Sequence, residues 1–443
     1  MSKVDLGNST KFNTRGEASY ISFQGHCSWF KFCMDKIQLV ERHVINKTHD
    51  DFDEIDNLCF LSKNLYNTAN FIIRQDFINN KGYISCFELQ KLLQNQRNID
   101  YYALPTGVSQ QVLKVLHENW KSFFAAIKEY KKHSSKFLGM PKLPKYKDKI
   151  SGRNLLIFTA PRLGKRFYEK TGKLKLQKTN LVVNSKVPKE VINQVRIVPQ
   201  NNCYVIEVVY TKEIPPMPDV CERIASIDTG LNNLATLTSN CEIKPTVYCG
   251  KAVKSINQFY NKKTSELKSQ LKGKAQTSKR IKATTHKRNQ KVSDFLHKTS
   301  RNIVNQLVSF NIDTLVIGKN DNWKQDIKIG RVNNQKFVMI PHARFIHMLE
   351  YKCKIDGIKV ILQEESYTSK TSFLDNEEIE KHEEYKGKRV KRGLFKSASG
   401  ININADVNGS FNIMRKAFPN SISVDHGIEA FVVSPLRIKT YKT

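Results

Sequence analysis

The stretch IASIDTGLNNLATL, residues 224–237, decides the fold. A short apolar run leads to Asp228, a glycine turn follows, and a second apolar segment begins at once. This pattern predicts a buried strand that ends at the Asp228 carboxylate. A carboxylate at a strand end can bind a metal ion, but it can also cap a turn. The rest of the chain has to distinguish these two interpretations.

Strands and helices are predicted to alternate from residue 222 to residue 418, as an α/β sheet requires. Apolar runs of strand length predict the strands, and apolar residues at a spacing of three to four predict the helices. The further strands are predicted at DTLVIGKND (313–321) and IKVILQEESYTSKTSF (358–373), and the helices at FVMIPHARFIHMLEYKCKIDG (337–357) and NADVNGSFNIMRKAF (404–418).

Acidic residues occupy comparable places in this predicted sheet. Asp228 ends one strand, and Glu364 and Glu365 end another. Asp406 lies in the first turn of the last helix. Ligands of open α/β sheets bind outside the carboxyl ends of the strands, where these carboxylates could together hold Mg²⁺ or Mn²⁺. Each acid alone is weak evidence, because Asp228 could be a turn residue and Asp406 could simply favour a helix N-terminus.

The charge of the chain predicts a polyanionic partner. It has 73 Lys and Arg against 41 Asp and Glu, a formal net charge of +32, and nucleic acid is the usual partner of such a protein. The charge is concentrated in a proline- and lysine-rich stretch (138–154), a predicted basic helical hairpin (251–310) and the run KGKRVKRGLFK (386–396). A solvated surface is the alternative for these segments. The candidate nucleic-acid contacts are Lys142, Lys145, Lys147, Lys279, Arg280, Lys282, Lys287, Arg288, Lys388 and Arg389.

The N-terminal half predicts a strand, then helices, then further strands. MDKIQLVERHVI (34–45) has the β-branched and apolar content of a strand. Residues 51–130 carry apolar residues at helical spacing, with Ser109 as a candidate N-cap and Trp120 in the core. Residues 155–212 return to strand-like patterns separated by glycines, which fits a small β-barrel or sandwich.

The composition argues against secretion and membrane insertion. No run of about 18 apolar residues is present, and the N-terminus lacks the apolar core of a secretory signal. The nine cysteines are scattered and form no C-x-x-C pair. Such scattered cysteines are typical of reduced thiols in a cytosolic protein. We therefore expect a cytoplasmic protein without a membrane partner.

Several motifs together resemble those of TnpB, the transposon-encoded RNA-guided DNA endonuclease, which is similar to the compact type V CRISPR effectors. IDTGLNNLATL resembles the first RuvC motif of that family, YTSKTS resembles its Tyr-Thr-Ser segment, and LHKTSRNIV echoes its Phe-His-Lys motif. NADVNGSFNI resembles the final Asp-Ala-Asp-x-Asn-Ala segment, which places the third catalytic acid on Asp406. The pattern spans roughly residues 34–418, and the combination is specific although no single motif is.

The chain departs from the family pattern in two places. TnpB proteins usually have a glutamate at the end of the strand that here reads LVIGKN, and this chain has Gly318 there. The resemblance favours a glutamate relocated to Glu364 or Glu365, with Glu364 preferred because successive strand side chains face opposite ways. The family also usually has C-x-x-C pairs within the region that corresponds to residues 373–403. This chain has no cysteine there, so we expect a loop without zinc.

The resemblance implies a multidomain α+β fold: a small β-barrel called the wedge, a helical recognition insert, and an RNase H-like RuvC α/β domain. It implies guide RNA from the transposon end and double-stranded target DNA as partners in the prokaryotic cytosol, on nucleoid DNA. Mg²⁺ would be held by Asp228, Glu364 or Glu365, and Asp406. The oligomeric state, monomer or dimer, stays open. The expected segments are an extension (1–33), the wedge (34–50 and 138–220), the helical insert (51–137), the RuvC domain (221–418, with the hairpin 251–310 and the loop 373–403) and a C-terminal tail (419–443).

Two other functions remain open at this point. Gly318 suggests a nuclease-dead, RNA-guided DNA-binding repressor, although Asp228 and Asp406 are both retained. A DNA-joining transposase or integrase would use the same sheet and the same acids.

Overall fold

The computed structural model describes residues 35–79, 82–200, 202–241, 243–273, 275–320, 339–391, 393–422 and 434–440. The expected N-terminal extension lies outside the described residues. Within them, the chain forms two main sheets, each associated with its own helices.

The first main sheet is antiparallel and has four strands in the order β1-β6-β5-β2. Residues of β1 alternate between exposed and half-buried, so one face of the strand packs inward, as its sequence predicts. The order places β1 and β2 at the two edges, and the closed barrel stays a prediction. The strands of this half are β1 (Lys36–Ile45), β2 (Leu156–Thr159), β3 (Leu174–Lys175), β4 (Val182–Val183), β5 (Ile192–Gln200) and β6 (Cys203–Glu213).

Helices occupy the chain between β1 and β2, which confirms the prediction of helices over 51–130. Trp120 is fully buried in their core, as predicted, and its indole N–H donates to Asn70 Oδ1 (3.0 Å). The predicted N-cap is wrong, because α4 begins at Thr106 and Ser109 lies inside it. The Ser109 hydroxyl donates instead to Tyr101 O (2.7 Å). The helices are α1 (Phe52–Ile78), α2 (Cys86–Asn95), α3 (Ile99–Tyr102), α4 (Thr106–Lys132) and, after β2, α5 (Lys165–Thr171).

The second main sheet has six strands in the order β11-β10-β7-β8-β9-β15. β7, β10 and β11 run parallel, while β8 is antiparallel to both β7 and β9. The sheet therefore mixes a parallel half, whose carboxyl ends share one edge, with a meander. The strands of this half are β7 (Ile224–Thr229), β8 (Asn233–Ser239), β9 (Thr246–Cys249), β10 (Thr314–Gly318), β11 (Lys359–Gln363), β12 (Lys388–Lys391), β13 (Leu394–Lys396), β14 (Asn402–Asn404) and β15 (Leu436–Ile438).

Helices pack on both faces of this sheet. Ile227 of β7 and Ile317 of β10 belong to a buried cluster that also holds residues of α7 and α8. Ile224 and Val316, on the same two strands, pack instead with Ile413 of α9. α6 and α7 pack against each other as the predicted basic hairpin. The helices are α6 (Lys251–Ser269), α7 (Lys279–Ser309), α8 (His342–Ile355) and α9 (Ala405–Ala417).

Two segments expected to lack regular structure contain strands. Residues 373–403 include β12 and β13, which form a small antiparallel sheet with β14. The expected C-terminal tail contributes β15, which pairs in parallel with β9 at the edge of the six-stranded sheet. Among the described helices, none has the length and apolar character needed to cross a membrane.

Candidate active site

The alternation of side chains along β7 points Asp228 toward α9. Ile224 packs with α9, and Ser226, two residues further, exchanges hydrogen bonds with Ser410 of α9 (2.7 and 3.1 Å). Asp228 is the next residue of this face. A Cβ at Gly409 of α9 would stand only 3.0 Å from Asp228 Oδ2, so a glycine allows this close approach. The Asp228 carboxylate therefore lies between the end of β7 and the first turns of α9.

Asp406 reaches the same place from the N-terminus of α9. The helix is capped by Asn404, whose Oδ1 accepts the backbone N–H of Asp406 (3.0 Å). Asp406 Oδ2 accepts a hydrogen bond from Asn233 Nδ2 (2.6 Å). Its other oxygen, Oδ1, lies 3.6 Å from Arg389 Nη2 of β12. The Asp406 carboxylate is thus fixed from two sides.

Glu365 occupies the space that a side chain at Gly318 would need. Gly318 ends β10, and an ideal Cβ built on it would stand 2.6 Å from Glu365 Oε2. Asn320 holds this glutamate in place, because its Nδ2 donates to Glu365 Oε1 and its Oδ1 accepts the Glu365 backbone N–H (both 3.2 Å). The chain therefore delivers a carboxylate from beyond β11 to the end of β10.

Glu364 makes its contacts with Lys416 and Ser366, whereas Glu365 lies beside Gly318, which argues against the preference for Glu364 that strand alternation suggested. Its Oε2 accepts a hydrogen bond from Lys416 Nζ (2.6 Å), and its Oε1 accepts the backbone N–H of Ser366 (2.8 Å). The Lys416 contact lowers the pKa of Glu364 below its usual range. Alternation is no guide here, because β11 ends at Gln363 and both glutamates lie beyond the strand.

The electrostatics of the gathered acids favour a bound cation. Burial, and then the charges of Asp406 and Glu365, raise the pKa of Asp228 well above its ordinary value. Burial, with a smaller effect of Glu364, raises the pKa of Glu365 to about 7. Carboxylates that are costly to ionise together are stabilised by a divalent cation, and Mg²⁺ prefers oxygen ligands.

The residue types present therefore fit such an ion. Within the described part of the chain, however, no three His, Cys, Asp or Glu side chains are already arranged to hold one metal ion. In this structure the Asp406 carboxylate is instead in contact with Asn233 and Arg389.

Two asparagines of α9 that the sequence motifs do not identify hold the Tyr-Thr-Ser segment next to this site. Asn408 and Asn412, one turn apart on α9, donate to the backbone of the Tyr-Thr-Ser segment. Asn408 Oδ1 also accepts the backbone N–H of Phe373 (2.9 Å). The sequence signal for this role is the pair of asparagines after Asp406 in NADVNGSFN. The amide side chain of an asparagine can donate to a backbone C=O group of a buried loop and accept from one of its N–H groups.

The segment 373–403 is held together by acids and aromatic packing. Glu377 is buried and accepts the backbone N–H groups of Ser372 and Lys386 (both 2.7 Å). Phe373 stacks on Phe411 of α9, with ring centroids 4.4 Å apart. The segment brings Arg389 to Asp406, whereas the neighbouring Lys388 is exposed.

The predicted nucleic-acid contacts on α7 are exposed, with one exception. Arg288 ties the hairpin together, because its Nε donates to Asn257 Oδ1 (2.8 Å) and its Nη2 to Met339 O (3.0 Å). Burial lowers the pKa of this guanidinium. Arg288 is therefore better described as a structural residue, which corrects the expectation for it. The exposed residues are Lys279, Arg280, Lys282 and Lys287 on α7, and Lys142, Lys145 and Lys147 on the segment before β2.

Two family models match the chain. A model described as a probable transposase, OrfB_IS605, matches residues 207–324, which include β7 with Asp228. A model described as Cas12f1-like, TNB domain, matches residues 342–413, which include Glu365, Arg389 and Asp406. These matches confirm the resemblance to TnpB and to compact type V effectors that the motifs indicated. No curated protein matches the chain.

Solved structures of low sequence identity are also similar to the chain. A Cas12f1–sgRNA–target DNA complex is 15% identical, covers 85% of this chain and 98% of its own, and gives a TM-score of 0.36. A CRISPR–Cas12f ternary complex is 12% identical, covers 82% of this chain and 80% of its own, and gives a TM-score of 0.34.

Proposed function

We propose that this protein is an RNA-guided endonuclease that cuts double-stranded DNA next to a short target-adjacent motif. The observation that carries the proposal is the placement of Asp228, Glu365 and Asp406 at one edge of the parallel strands, with Glu365 in the space of the missing residue-318 side chain. The net charge of +32 and the two family matches support nucleic acid as the substrate. The wedge and the helical insert would read the flanking motif, while base pairing to guide RNA reads the target sequence.

The chemistry assigned to the site is hydrolysis of a phosphodiester. Asp228, Glu365 and Asp406 would hold Mg²⁺ or Mn²⁺, which when bound activates water and stabilises the leaving oxygen. Asn320 orients Glu365, and Asn233 orients Asp406. Arg389, close to Asp406, adds a positive charge where a phosphate would enter.

The adjacent glutamates provide a matched test of this proposal. We expect Glu365→Gln and Asp228→Asn each to reduce guided cleavage at least about a hundredfold. Replacing a residue that only supports a metal ligand already lowers activity or metal affinity about 10–100-fold, and these two residues are proposed as the ligands themselves. Glu364→Gln should cut within about threefold of the wild type, because Glu364 bonds Lys416 on the surface. The measurement is the cleavage rate of a plasmid with a matched target, in the presence of Mg²⁺ and the guide RNA. The assignment fails if Asp228→Asn cleaves normally, or if Glu364→Gln is the inactive glutamate variant.

A guided repressor is the second candidate, and Gly318 is the observation that favours it. The two candidates differ in the wild type: a repressor binds the matched target through the guide RNA but leaves both strands intact at any Mg²⁺ concentration. Strand-transfer products on a short donor duplex would instead indicate a DNA-joining enzyme.

A further inference from the structure

Residues 140–150, named here the lysine strap, contain no helix or strand but are fixed along α1. Their backbone accepts and donates hydrogen bonds with side chains spaced along one face of that helix. The strap is therefore an ordered surface element rather than a free linker. The bonds join Lys63 Nζ to Lys149 O (2.8 Å), Asn67 Nδ2 to Lys147 O (2.9 Å), Lys147 N to Asn67 Oδ1 (2.8 Å) and Asn70 Nδ2 to Pro144 O (3.0 Å).

Two lysine side chains of the strap, Lys142 and Lys145, take no part in holding it to α1. Lys142 and Lys145 are exposed, and within the described residues neither has an ion-pair partner. The strap's acid, Asp148, is occupied by the turn that follows it, where its Oδ1 accepts the backbone N–H groups of Ile150 (3.1 Å) and Ser151 (2.7 Å). Like charges in a row on an ordered segment repel each other and favour a polyanion.

A groove with a volume of about 460 Å³ runs between the lysine strap and α4. This volume falls within the range of about 300–1,000 Å³ that is typical of small-ligand sites. Aromatic rings from α1, α4 and the strap line it, together with short polar side chains and the strap lysines. The lining residues used below are Tyr66, Asn119, Ser122, Phe123, Lys142, Lys145 and Tyr146.

The aromatic lining is held in position by polar neighbours. The guanidinium of Arg74 lies over one face of the Tyr146 ring, 4.8 Å from its centroid, and Tyr146 is still 42% exposed. Tyr66 is buried, and its hydroxyl accepts a hydrogen bond from Asn119 Nδ2 (3.2 Å). A pre-positioned ring with an accessible surface is what base stacking on single strands requires.

We infer that this groove binds an unpaired nucleotide, with its base against Tyr146 and Phe123 and its flanking phosphates on Lys142 and Lys145. Aromatic rings give a surface for a base, and lysines at the rim neutralise the backbone. The Asn119 amide, which also donates to Tyr66, lines the groove where it can hydrogen-bond the base edge. The hydrogen bonds that anchor the strap to α1 use its backbone, so they do not account for the exposed side chains of Lys142 and Lys145. The inference rests on the proposed function only in taking nucleic acid as the partner.

The test is photo-cross-linking on the full-length chain. The probes are eight-nucleotide single strands carrying one halogenated uracil, as DNA or as RNA, and a hairpin in which the same base is paired. We expect adducts on Tyr146 or Phe123 from a single strand and not from the paired probe. Adducts from RNA alone would identify guide RNA as the source, and adducts from DNA alone would identify a displaced DNA strand. The inference is overturned if neither single strand modifies the groove, or if the paired probe does so equally.

Variants measure the contribution of the groove to affinity for the single strand that cross-links. Tyr146→Ala should weaken binding at least about fivefold, the lower range expected for one stacked base, and Ser122→Trp should weaken it by filling the groove. Lys142→Gln with Lys145→Gln should reduce the slope of log affinity against log salt by about 1.4, at about 0.7 per neutralised phosphate.

The matched control is Lys128→Gln with Lys131→Gln, two lysines of α4 that do not line the groove. An equal reduction of the salt slope in this control would mean that general charge, and not the groove, binds the strand. These readouts involve no cleavage, so a failed groove and a failed nuclease assignment remain distinguishable.

Discussion

Residue 318 and residue 365 compete for one space at the candidate active site. The carboxylate of Glu365 stands where a Cβ of residue 318 would point, and the Ile413 side chain closes the same space from α9. A side chain at the end of β10 and a carboxylate from beyond β11 are therefore alternatives. The proposed relocation of the glutamate from residue 318 to residue 365 is consistent with this exclusion.

Gly318→Ala should displace the Glu365 carboxylate. The proposed function makes Glu365 a metal ligand, and misplacing such a group by about 1 Å should slow guided cleavage by about tenfold to a hundredfold. The cleavage rate at saturating guide RNA checks it. Gly139→Ala is the control, since a Cβ there meets no atom within 4 Å. Equal rates for both variants would show that the space at residue 318 does not matter.

Moving the carboxylate from residue 365 to residue 318, at the end of β10, gives a stricter form of this test. Glu365→Gly alone should be inactive, while Glu365→Gly with Gly318→Glu should recover part of the cleavage activity. The new side chain would meet the flexible end of Ile413, which can shift. If the double variant is as inactive as the single one, residue 318 cannot supply the ligand.

Lys352 provides a pH dependence unconnected with the acids. It is 7% exposed, and its Nζ donates to His297 O (2.8 Å) and Ser300 Oγ (2.7 Å). Burial, helped by the charge of Arg301, lowers its pKa to about 8 from 10.5. Between these two values the unfolded chain binds more protons than the folded chain, so this group makes folding more stable as pH rises through that window.

We therefore expect the melting temperature of the wild type to rise relative to Lys352→Met by about 2 °C or more between pH 7.5 and pH 10. Lys354→Met is the control, because the Lys354 side chain is 44% exposed. A temperature difference that is constant with pH would contradict the lowered pKa.

Single residues also show what the sequence could and could not reveal. The positions of Asp228 at the end of a strand and of Asp406 at the start of a helix follow from local patterns of the sequence. The choice between Glu364 and Glu365 does not follow from local sequence. It depends on Lys416, on the turn after β11 and on the absence of a side chain at Gly318. The N-cap predicted at Ser109 is wrong because α4 already begins at Thr106, and the Ser109 hydroxyl donates to Tyr101 O.

At the scale of elements, residues 373–403 form a folded unit without a cysteine. Glu377 accepts the backbone N–H of the buried Ser372, which would otherwise lack this partner, and also that of Lys386. Glu377→Ala should lower the free energy of unfolding by about 1–3 kcal/mol, the cost of orphaned buried groups. Thermal or denaturant unfolding measures it, with the exposed neighbour Glu378→Ala as the control. A loss of stability on zinc chelation, in place of the Glu377 effect, would contradict this interpretation.

The exposed cations of α7 should act together on nucleic-acid binding. Replacing Lys279, Arg280, Lys282 and Lys287 by glutamine should weaken binding and reduce the salt slope by about 0.7–0.9 for each phosphate that is no longer neutralised. Arg288→Gln should instead lower stability, because it joins α7 to α6. The measurements are binding affinity at several salt concentrations and the melting temperature. The interpretation fails if the four-residue variant keeps the wild-type salt slope.

For the whole molecule, the order of strands and helices was largely predictable, because apolar periodicity reflects burial along each element. The sequence did not indicate β15, a three-residue edge strand with too little apolar pattern to detect. For residues 138–154 the sequence leaves a solvated surface and a nucleic-acid contact open, and it does not reveal that α1 binds the backbone of the lysine strap. Both features depend on contacts between distant parts of the chain, which periodicity does not encode.

The most direct test of the central claim is DNA cleavage by the wild-type protein loaded with the guide RNA that the resemblance to TnpB implies, transcribed from the transposon end. The substrate is a plasmid library with a matched target and a randomised flank, incubated with Mg²⁺, and the ends are sequenced. We predict cuts in both strands that depend on one flank motif and disappear with Glu365→Gln but not with Glu364→Gln. Motif-dependent binding of the matched plasmids without any cut would contradict the claim. It would indicate a guided repressor in which the glycine at residue 318 reflects loss of nuclease activity.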